Sequence, residues 1–305
     1  MSAHHAEAAA RQGTYSIVAL APESGQLGVA VQSHWFSVGS LVPWAEPGVG
    51  AVATQASVLP AYGPRLLDRL RRGEDVSEAL RELVAADEEA EVRQVAVVDA
   101  QGRTAVHTGR DCIPFAGHEV GEGFVCQANL MASRTVWPEM AREFASTTGE
   151  LSWRLLSALE AAEAEGGDIR GRQSAAMVVV DAQGEGWQRL VDLRVEDHPA
   201  PLVELRRLLT VHRAYRLAGE GDDLAARGRS AEAAERYLAA HELAPDNLEL
   251  LFWAGLSLVE SGEVDRGMQA VRRVVAEHPG WGELIPRLPA GRSPGADEVR
   301  RRLGL

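Results

Sequence analysis

The chain of 305 residues has no lysine; all 31 of its basic residues are arginine. That excludes Schiff-base chemistry on a lysine, a Walker-type phosphate lysine and a lysine general base. Cysteine is nearly absent. Cys112 and Cys126 form no framework of spacings, so a reduced, cytosolic (cytoplasmic) setting is the expectation. Long apolar runs are missing too. Stretches such as Val95–Val98 and Met177–Val180 fall far below the ~18 residues of a membrane span, and no membrane association is expected. Positive charge is not in excess. The formal net charge is −13, which argues against a phosphate-backbone binder, so nucleic acid is not an expected partner. The motifs H-E-x-x-H and G-x-G-x-x-G do not occur, and the nine histidines show no metal-ligand spacing. No metal and no organic cofactor is called for.

What is present is ordinary globular material: 46% hydrophobic and 25% charged residues, enough for a sizeable core. At ~100–200 residues per domain the length suggests two domains. Residues 1–13 are rich in Ala and His and lack the apolar segment of a secretory signal; a flexible extension is expected there.

From residue 14 to 200 strand-like and helix-like pieces alternate. Tyr15–Ala21 and Leu27–Gln32 flank a Pro22/Ser24/Gly25 turn, and Gly50–Ala56 reads as a third strand. Arg65–Arg72 and Val76–Ala86 carry leucines at helical spacing. Val92–Asp99 and Arg103–Thr108 form a hairpin around Gly102, and Gly123–Gln127 reads as a strand. Helices at about Arg134–Ala145 and Leu151–Ala164 end at Gly166-Gly167. A last hairpin joins Ser174–Asp181 to Trp187–Val195. Hairpins imply antiparallel pairing, so the class is α+β and not doubly wound. Helices inserted in pairs suit two stacked antiparallel sheets with a helical layer outside each.

Residues 201–305 read as continuous helix, opening with Leu202–Leu217. Gly221, Leu224, Gly228, Ala233, Tyr237, Ala240 and Pro245 recur 34 positions later as Gly255, Leu258, Gly262, Gly267, Val271, Val274 and Pro279. This period, with small residues at its eighth and twentieth places, resembles the tetratricopeptide repeat. Two units are expected, 214–247 and 248–281, with Gly228 and Gly262 at the turns and the flanking helices as buttresses. Such repeats imply a groove for a protein partner.

Several polar positions could carry chemistry. Thr14 opens the first strand directly after Gly13. It is either an N-terminal nucleophile awaiting release, whose freed α-amine (pKa ~7.7–8.0) acts as base, or an ordinary strand-start threonine. Asp168, Arg170, Gln173 and Ser174 place a carboxylate, a guanidinium, an amide and a hydroxyl just before an apolar strand. They bind one another or a substrate. Asn129, at the end of Cys126-Gln127-Ala128-Asn129, is a candidate oxyanion donor or a loop-holding amide. Ser33 and Gln55 stand at the ends of neighbouring strands, and His34 is a pocket group or a strand-end residue.

Thr14-Tyr15-Ser16-Ile17-Val18-Ala19, Gly50 through Ala56, Tyr62-Gly63, Gln127-Ala128-Asn129, Asp168 through Ala176 and Asp192 through Pro199 together resemble the bacterial family called domain of unknown function 1028. The resemblance spans about residues 14–211. It implies an N-terminal-nucleophile hydrolase-like fold, a four-layer αββα sandwich. In that family the matching threonine directly follows the initiator methionine, whereas here thirteen residues precede Thr14. Either Gly13–Thr14 is cleaved or Thr14 stays blocked. Proteasome-like members of the wider fold use a lysine beside the nucleophile. With none here, the amine of Thr14 must move the proton, while Arg170 could hold a carboxylate or an oxyanion.

Two functions are therefore expected. One is an amidohydrolase of small amides or cyclic imides, cleaving C–N bonds other than peptide bonds. Thr14 would attack, Asn129 would hold the oxyanion, and Asp168 and Arg170 would orient Ser174. Ser33, His34, Gln55, Tyr62 and Gln173 would line the substrate. The other is a non-catalytic scaffold whose repeats bind a protein. A homo-oligomer through the helical layers is expected in either case.

Overall fold

A computed structural model of the chain describes residues 13–289 and 295–304. Of the expected extension 1–13, all but Gly13 lies outside the described residues. The fold is α+β, with antiparallel sheets followed by a helical region. Contacts divide it into two compact units, one up to Arg206 and one from Arg207.

Among the described residues the first unit holds ten strands. They are β1 (Thr14–Ala21), β2 (Gln26–Ser33), β3 (Pro43–Glu46), β4 (Gly50–Ala56), β5 (Arg93–Asp99), β6 (Thr104–Thr108), β7 (Gly117–Gly121), β8 (Phe124–Asn129), β9 (Ser174–Val180) and β10 (Val191–Val195). The first sheet runs β10-β9-β2-β1-β8-β7 and the second β3-β4-β5-β6. The expected hairpins β1–β2, β5–β6 and β9–β10 are all present and antiparallel.

Alternation along the strands sets which face meets what. Val18, Leu20, Val29 and Val31 of the first sheet share one core with Ala51, Ala53, Ala96 and Val98 of the second. The outer face of the second sheet carries helices α1 (Tyr62–Arg71) and α2 (Val76–Ala85), through Leu66, Leu80, Val52, Val95 and Val97. Asp75 caps α2 by accepting from the backbone N–H groups of Ser77 and Glu78. Helices α3 (Val136–Ser146) and α4 (Leu151–Ala164) pack on the first sheet. Gly28 of β2 allows a close approach there: a β-carbon would stand 2.7 Å from a methyl of Leu155 on α4, which would have to shift.

Two strands escape the sequence pattern. β3 has four residues and starts at Pro43, which suits the edge of a sheet but gives little periodic signal. β7 is also an edge strand; it runs between Gly117 and Gly121 and buries nothing fully, so no alternation marks it. The last hairpin is shorter than expected. Residues 181–190 form a loop with Trp187 exposed, and only Val191–Val195 pairs.

Helix α5 (Pro201–Ala226) is longer than the expected Leu202–Leu217 because it continues through Gly219 and Gly221. It reaches into the second unit, which adds α6 (Ser230–Leu243), α7 (Leu248–Glu260), α8 (Val264–Glu277), α9 (Gly280–Leu284) and α10 (Ala296–Leu303). Gly228 and Gly262 occupy the α5–α6 and α7–α8 turns with positive φ, a conformation that costs L side chains energy. Ala214, Ala233, Tyr237 and Ala254 build one apolar cluster of this unit; Phe252, Met268, Val271 and Ile285 build another. No helix among the described residues is long and apolar enough to cross a membrane.

Candidate functional site

Strand register brings four of the expected residues into one row. Ser174 pairs Ser33, Ser33 pairs Thr14, and Thr14 pairs Asn129, across β9, β2, β1 and β8. On the facing sheet Gln55 pairs Gln94 at the same end. Thr14 is only 2% exposed.

A chain of hydroxyls starts at Thr14. Its Oγ1 donates to Ser33 Oγ at 3.0 Å, and Ser33 Oγ donates to the carbonyl of Gly13 at 2.5 Å. Arg170 Nη2 donates to the same carbonyl at 3.1 Å. The peptide carbonyl just before Thr14 is thus held by two donors, one of them charged. Charge-assisted hydrogen bonds are the stronger class.

Arg170 is fixed by Asp168. Asp168 Oδ1 accepts from the backbone N–H and Nε of Arg170, both at 3.0 Å, while Oδ2 accepts from Nη2 at 2.6 Å and from the His34 N–H at 3.2 Å. The Asp168 side chain is fully buried. The glycines around it, Gly166, Gly167 and Gly171, all have positive φ and let the loop fold tightly enough to form this fork. Backbone strain gathers at the same end of the sheets. Ala56 directly follows Gln55, Leu130 directly follows Asn129, and both have positive φ. For a residue as bulky as leucine that is a true outlier, and such strain concentrates at functional sites.

Beneath Thr14 lies a seam of buried amides. Gln55 Nε2 donates to the Thr14 carbonyl at 3.1 Å and to Gln94 Oε1 at 2.8 Å. Asn129 Nδ2 donates to the same two acceptors, at 3.4 and 3.1 Å. Ser16 donates to Gln55 Oε1 and accepts from Gln127 Nε2. Sequence reasoning missed Ser16 and Gln94. The available signal was a glutamine or serine in the inward register of otherwise apolar strands.

Other expected residues take different parts. Asn129 spends its amide on Gln94 and on the Thr14 carbonyl, so it positions the strand end of the candidate nucleophile. Ser174 donates to the Trp35 carbonyl and accepts from the Val38 N–H, which holds the turn after β2. The expected orientation of Ser174 by Asp168 and Arg170 is therefore replaced by anchoring of that turn. Gln173 bonds Asp197 through its side chain, and its backbone N–H donates to the Ser33 carbonyl. Tyr62 departs furthest from expectation. It sits in the apolar layer between the second sheet and its helices, with its hydroxyl on Asp87. Burial and that carboxylate push its pKa upward. His34 meets Asp168 through its backbone, and its ring Nδ1 is buried with no hydrogen-bond partner. Among the described residues no three His, Cys, Asp or Glu side chains gather as a metal site would require.

A solved structure, protein SPO2555 from Silicibacter pomeroyi of family DUF1028, is 30% identical with a TM-score of 0.60. That match covers 65% of this chain and 84% of the other. Anbu (ancestral beta-subunit) from Yersinia bercovieri is 14% identical with a TM-score of 0.33, over 63% of this chain and 91% of that one. No curated protein matches the chain. The model of the family of unknown function DUF1028 matches residues 14–205, and the chain belongs to that family.

Proposed function

We propose that this protein is an amidohydrolase of the N-terminal-nucleophile type, with Thr14 released by cleavage of the Gly13–Thr14 bond. The observation that carries the reading is the Gly13 carbonyl, gripped by Ser33 Oγ and Arg170 Nη2 beside the Thr14 hydroxyl. An ordinary strand-start threonine needs no such arrangement. The helix pairs on the outer faces of two facing sheets support assignment to the four-layer fold of those hydrolases.

The hydroxyl chain gives release a proton path. Thr14 Oγ1 attacks the Gly13 carbonyl carbon. Its proton passes to Ser33 Oγ as the proton of Ser33 moves to the carbonyl oxygen, while Arg170 stabilises charge there. Collapse passes that proton to the nitrogen as the C–N bond breaks, and leaves Gly13 as an ester on Thr14 with a free α-amine. Water then hydrolyses the ester. In the mature site the Thr14 hydroxyl attacks a substrate amide, and the α-amine takes the proton and returns it to the departing amine. That amine titrates near ~7.7–8.0, close to working pH, so no lysine is needed.

The second unit, on this proposal, is a pair of tetratricopeptide-like repeats for protein contacts. Supporting it are the 34-residue spacing of the positive-φ turns at Gly228 and Gly262 and the close approach of Gly255 to Gly267.

Intact mass and N-terminal sequencing of the purified full chain test the proposal. Wild type should begin at Thr14, and Thr14→Ala should keep Gly13 and lose all amidase activity with unchanged melting. A wild-type chain that still carries Gly13, or a Thr14→Ala variant with full turnover, would sink it.

A further inference from the structure

The α-carbon of Gly13 lies against a rigid wall. A β-carbon built there in the L configuration stands 2.6 Å from Asp168 Oδ2, 2.9 Å from its Cγ and 3.0 Å from Arg170 Nη2. Optimal heavy-atom contacts lie at ~3.5–4.0 Å, so these are overlaps. The carboxylate cannot swing aside at low cost. It is fully buried and accepts four hydrogen bonds, three from Arg170 and one from the His34 N–H. Its backbone is tied as well, by a bridge between Met131 and Asp168 and by the Ile169 N–H donating to the Leu130 carbonyl.

This wall bears on substrate choice, resting on the reading that Thr14 attacks a carbonyl. The carbonyl that Thr14 attacks during release is that of Gly13, so the acyl half of any later substrate takes the same place. Its oxygen lies between Ser33 Oγ and Arg170 Nη2, both donors being vacated when Gly13 leaves. Its α-carbon meets Asp168. We infer that the substrates are amides of α-unbranched acyl groups, with a CH2 or CH3 beside the carbonyl, and that Asp168 is the specificity-determining residue that rejects α-substituted L-acyl groups. Ser33 and Arg170, and not Asn129, hold the oxyanion. In the reaction the amide C–N bond breaks as the Thr14 Oγ1–C bond forms. The hydroxyl proton leaves on the amine through the α-amine of Thr14, and water splits the ester to a carboxylic acid.

The test uses the full chain, with its N-terminus established by mass, and four 4-nitroanilides: glycyl, acetyl, L-alanyl and 2-methylpropionyl. One added methyl against a tight wall is worth about 10–200-fold in kcat/KM, so glycyl and acetyl should exceed their α-methyl counterparts by at least about tenfold. Gly13→Ala should slow release of Thr14 by a similar factor, while the released chain, which begins at Thr14 in both proteins, melts as wild type. Equal turnover of methylated and unmethylated anilides, or normal release from Gly13→Ala, would overturn the inference and leave the nucleophile intact. No turnover of any of the four by a chain that begins at Thr14 would overturn it too. A wild-type chain with Gly13–Thr14 uncut would instead overturn the underlying reading and the inference with it.

Discussion

Asn129 donates to Gln94 across the gap between the two sheets, Nδ2 to Oε1 at 3.1 Å, and so ties the end of β8 to the start of β5. Gln94 is the hub of the seam. Its oxygen accepts from Gln55 and Asn129, and its amide donates to Thr108 and to the carbonyls of Gly117 and Ala128. Both ends are used, so its orientation is fixed. Gln94→Leu strips partners from several buried groups at once, each costing ~1–3 kcal/mol when left unmet. A loss of about 3 kcal/mol by urea unfolding is expected, together with slower release of Thr14. A loss below about 1 kcal/mol would show that the seam relaxes around the change.

Asp168→Asn keeps the shape of the side chain but turns one acceptor into an N–H facing Arg170. Removing one partner of a buried ion pair costs ~3–5 kcal/mol. Arg170 is partly exposed, so about 2–3 kcal/mol is expected, with the Gly13–Thr14 bond left uncut. Mass spectrometry and thermal melting read the two effects separately. A normally cut variant would remove Asp168 and Arg170 from the chemistry.

Tyr62→Phe should leave the release of Thr14 unchanged, because the hydroxyl lies in the cluster of Asp87 and Arg93. Its expected cost is about 1 kcal/mol at neutral pH. Burial acts to raise the Asp87 pKa. It is outweighed by the Arg93 guanidinium, the Glu89 N–H and the Tyr62 hydroxyl, so the carboxyl stays below its ordinary range. A depressed carboxyl stabilises the fold above the unfolded value near ~3.9, and that gain is lost as pH falls through the folded value. The difference between Tyr62→Phe and wild type should therefore shrink below about pH 4. Urea titrations at pH 7 and pH 3.5 check it, and a constant difference would contradict the assignment.

Two glycines of α5 should respond with opposite signs. A β-carbon on Gly219 meets nothing within 4 Å, so Gly219→Ala should gain about 0.5–1 kcal/mol from helix propensity. On Gly221 it would press on the Tyr237 ring at 3.0–3.1 Å, and that ring is pinned by its hydroxyl on Asp222. Gly221→Ala should lose about 1–2 kcal/mol in the full chain. Melting curves of the two variants decide the matter; a shared sign would mean that the ring moves freely.

The readable parts of the sequence were those with a strong period. Leu151–Ala164 was legible to the residue, and the strands β1, β2, β4, β5 and β9 to within one or two, because apolar residues line them. Gly228 and Gly262 stood out as turns because they repeat. The strands β3 and β7 were hidden because each is short and buries at most one residue fully. In the site, Thr14, Ser33, Gln55, Asn129, Asp168 and Arg170 were visible as polar groups at strand ends. Their wiring was not. Ser174 and Tyr62 looked equivalent to them, and only tertiary packing sends one hydroxyl to the turn after β2 and the other to Asp87. Gln94 went unseen because its partners lie up to 39 residues away.

The grip on Gly13 closes very late in chain order. Arg170 reaches that carbonyl across 157 residues, and Asn129 reaches Thr14 across 115. Closing such separations is entropically slow, and it requires β1, β2 and β8 of the first sheet and the loop before β9 to have come together. On the function proposed, a nascent or misfolded chain has an inert Gly13–Thr14 bond. The cut then serves as a molecular time stamp of completed assembly. In a mixed population, the fraction of chains beginning at Thr14 would count those that had folded at least once.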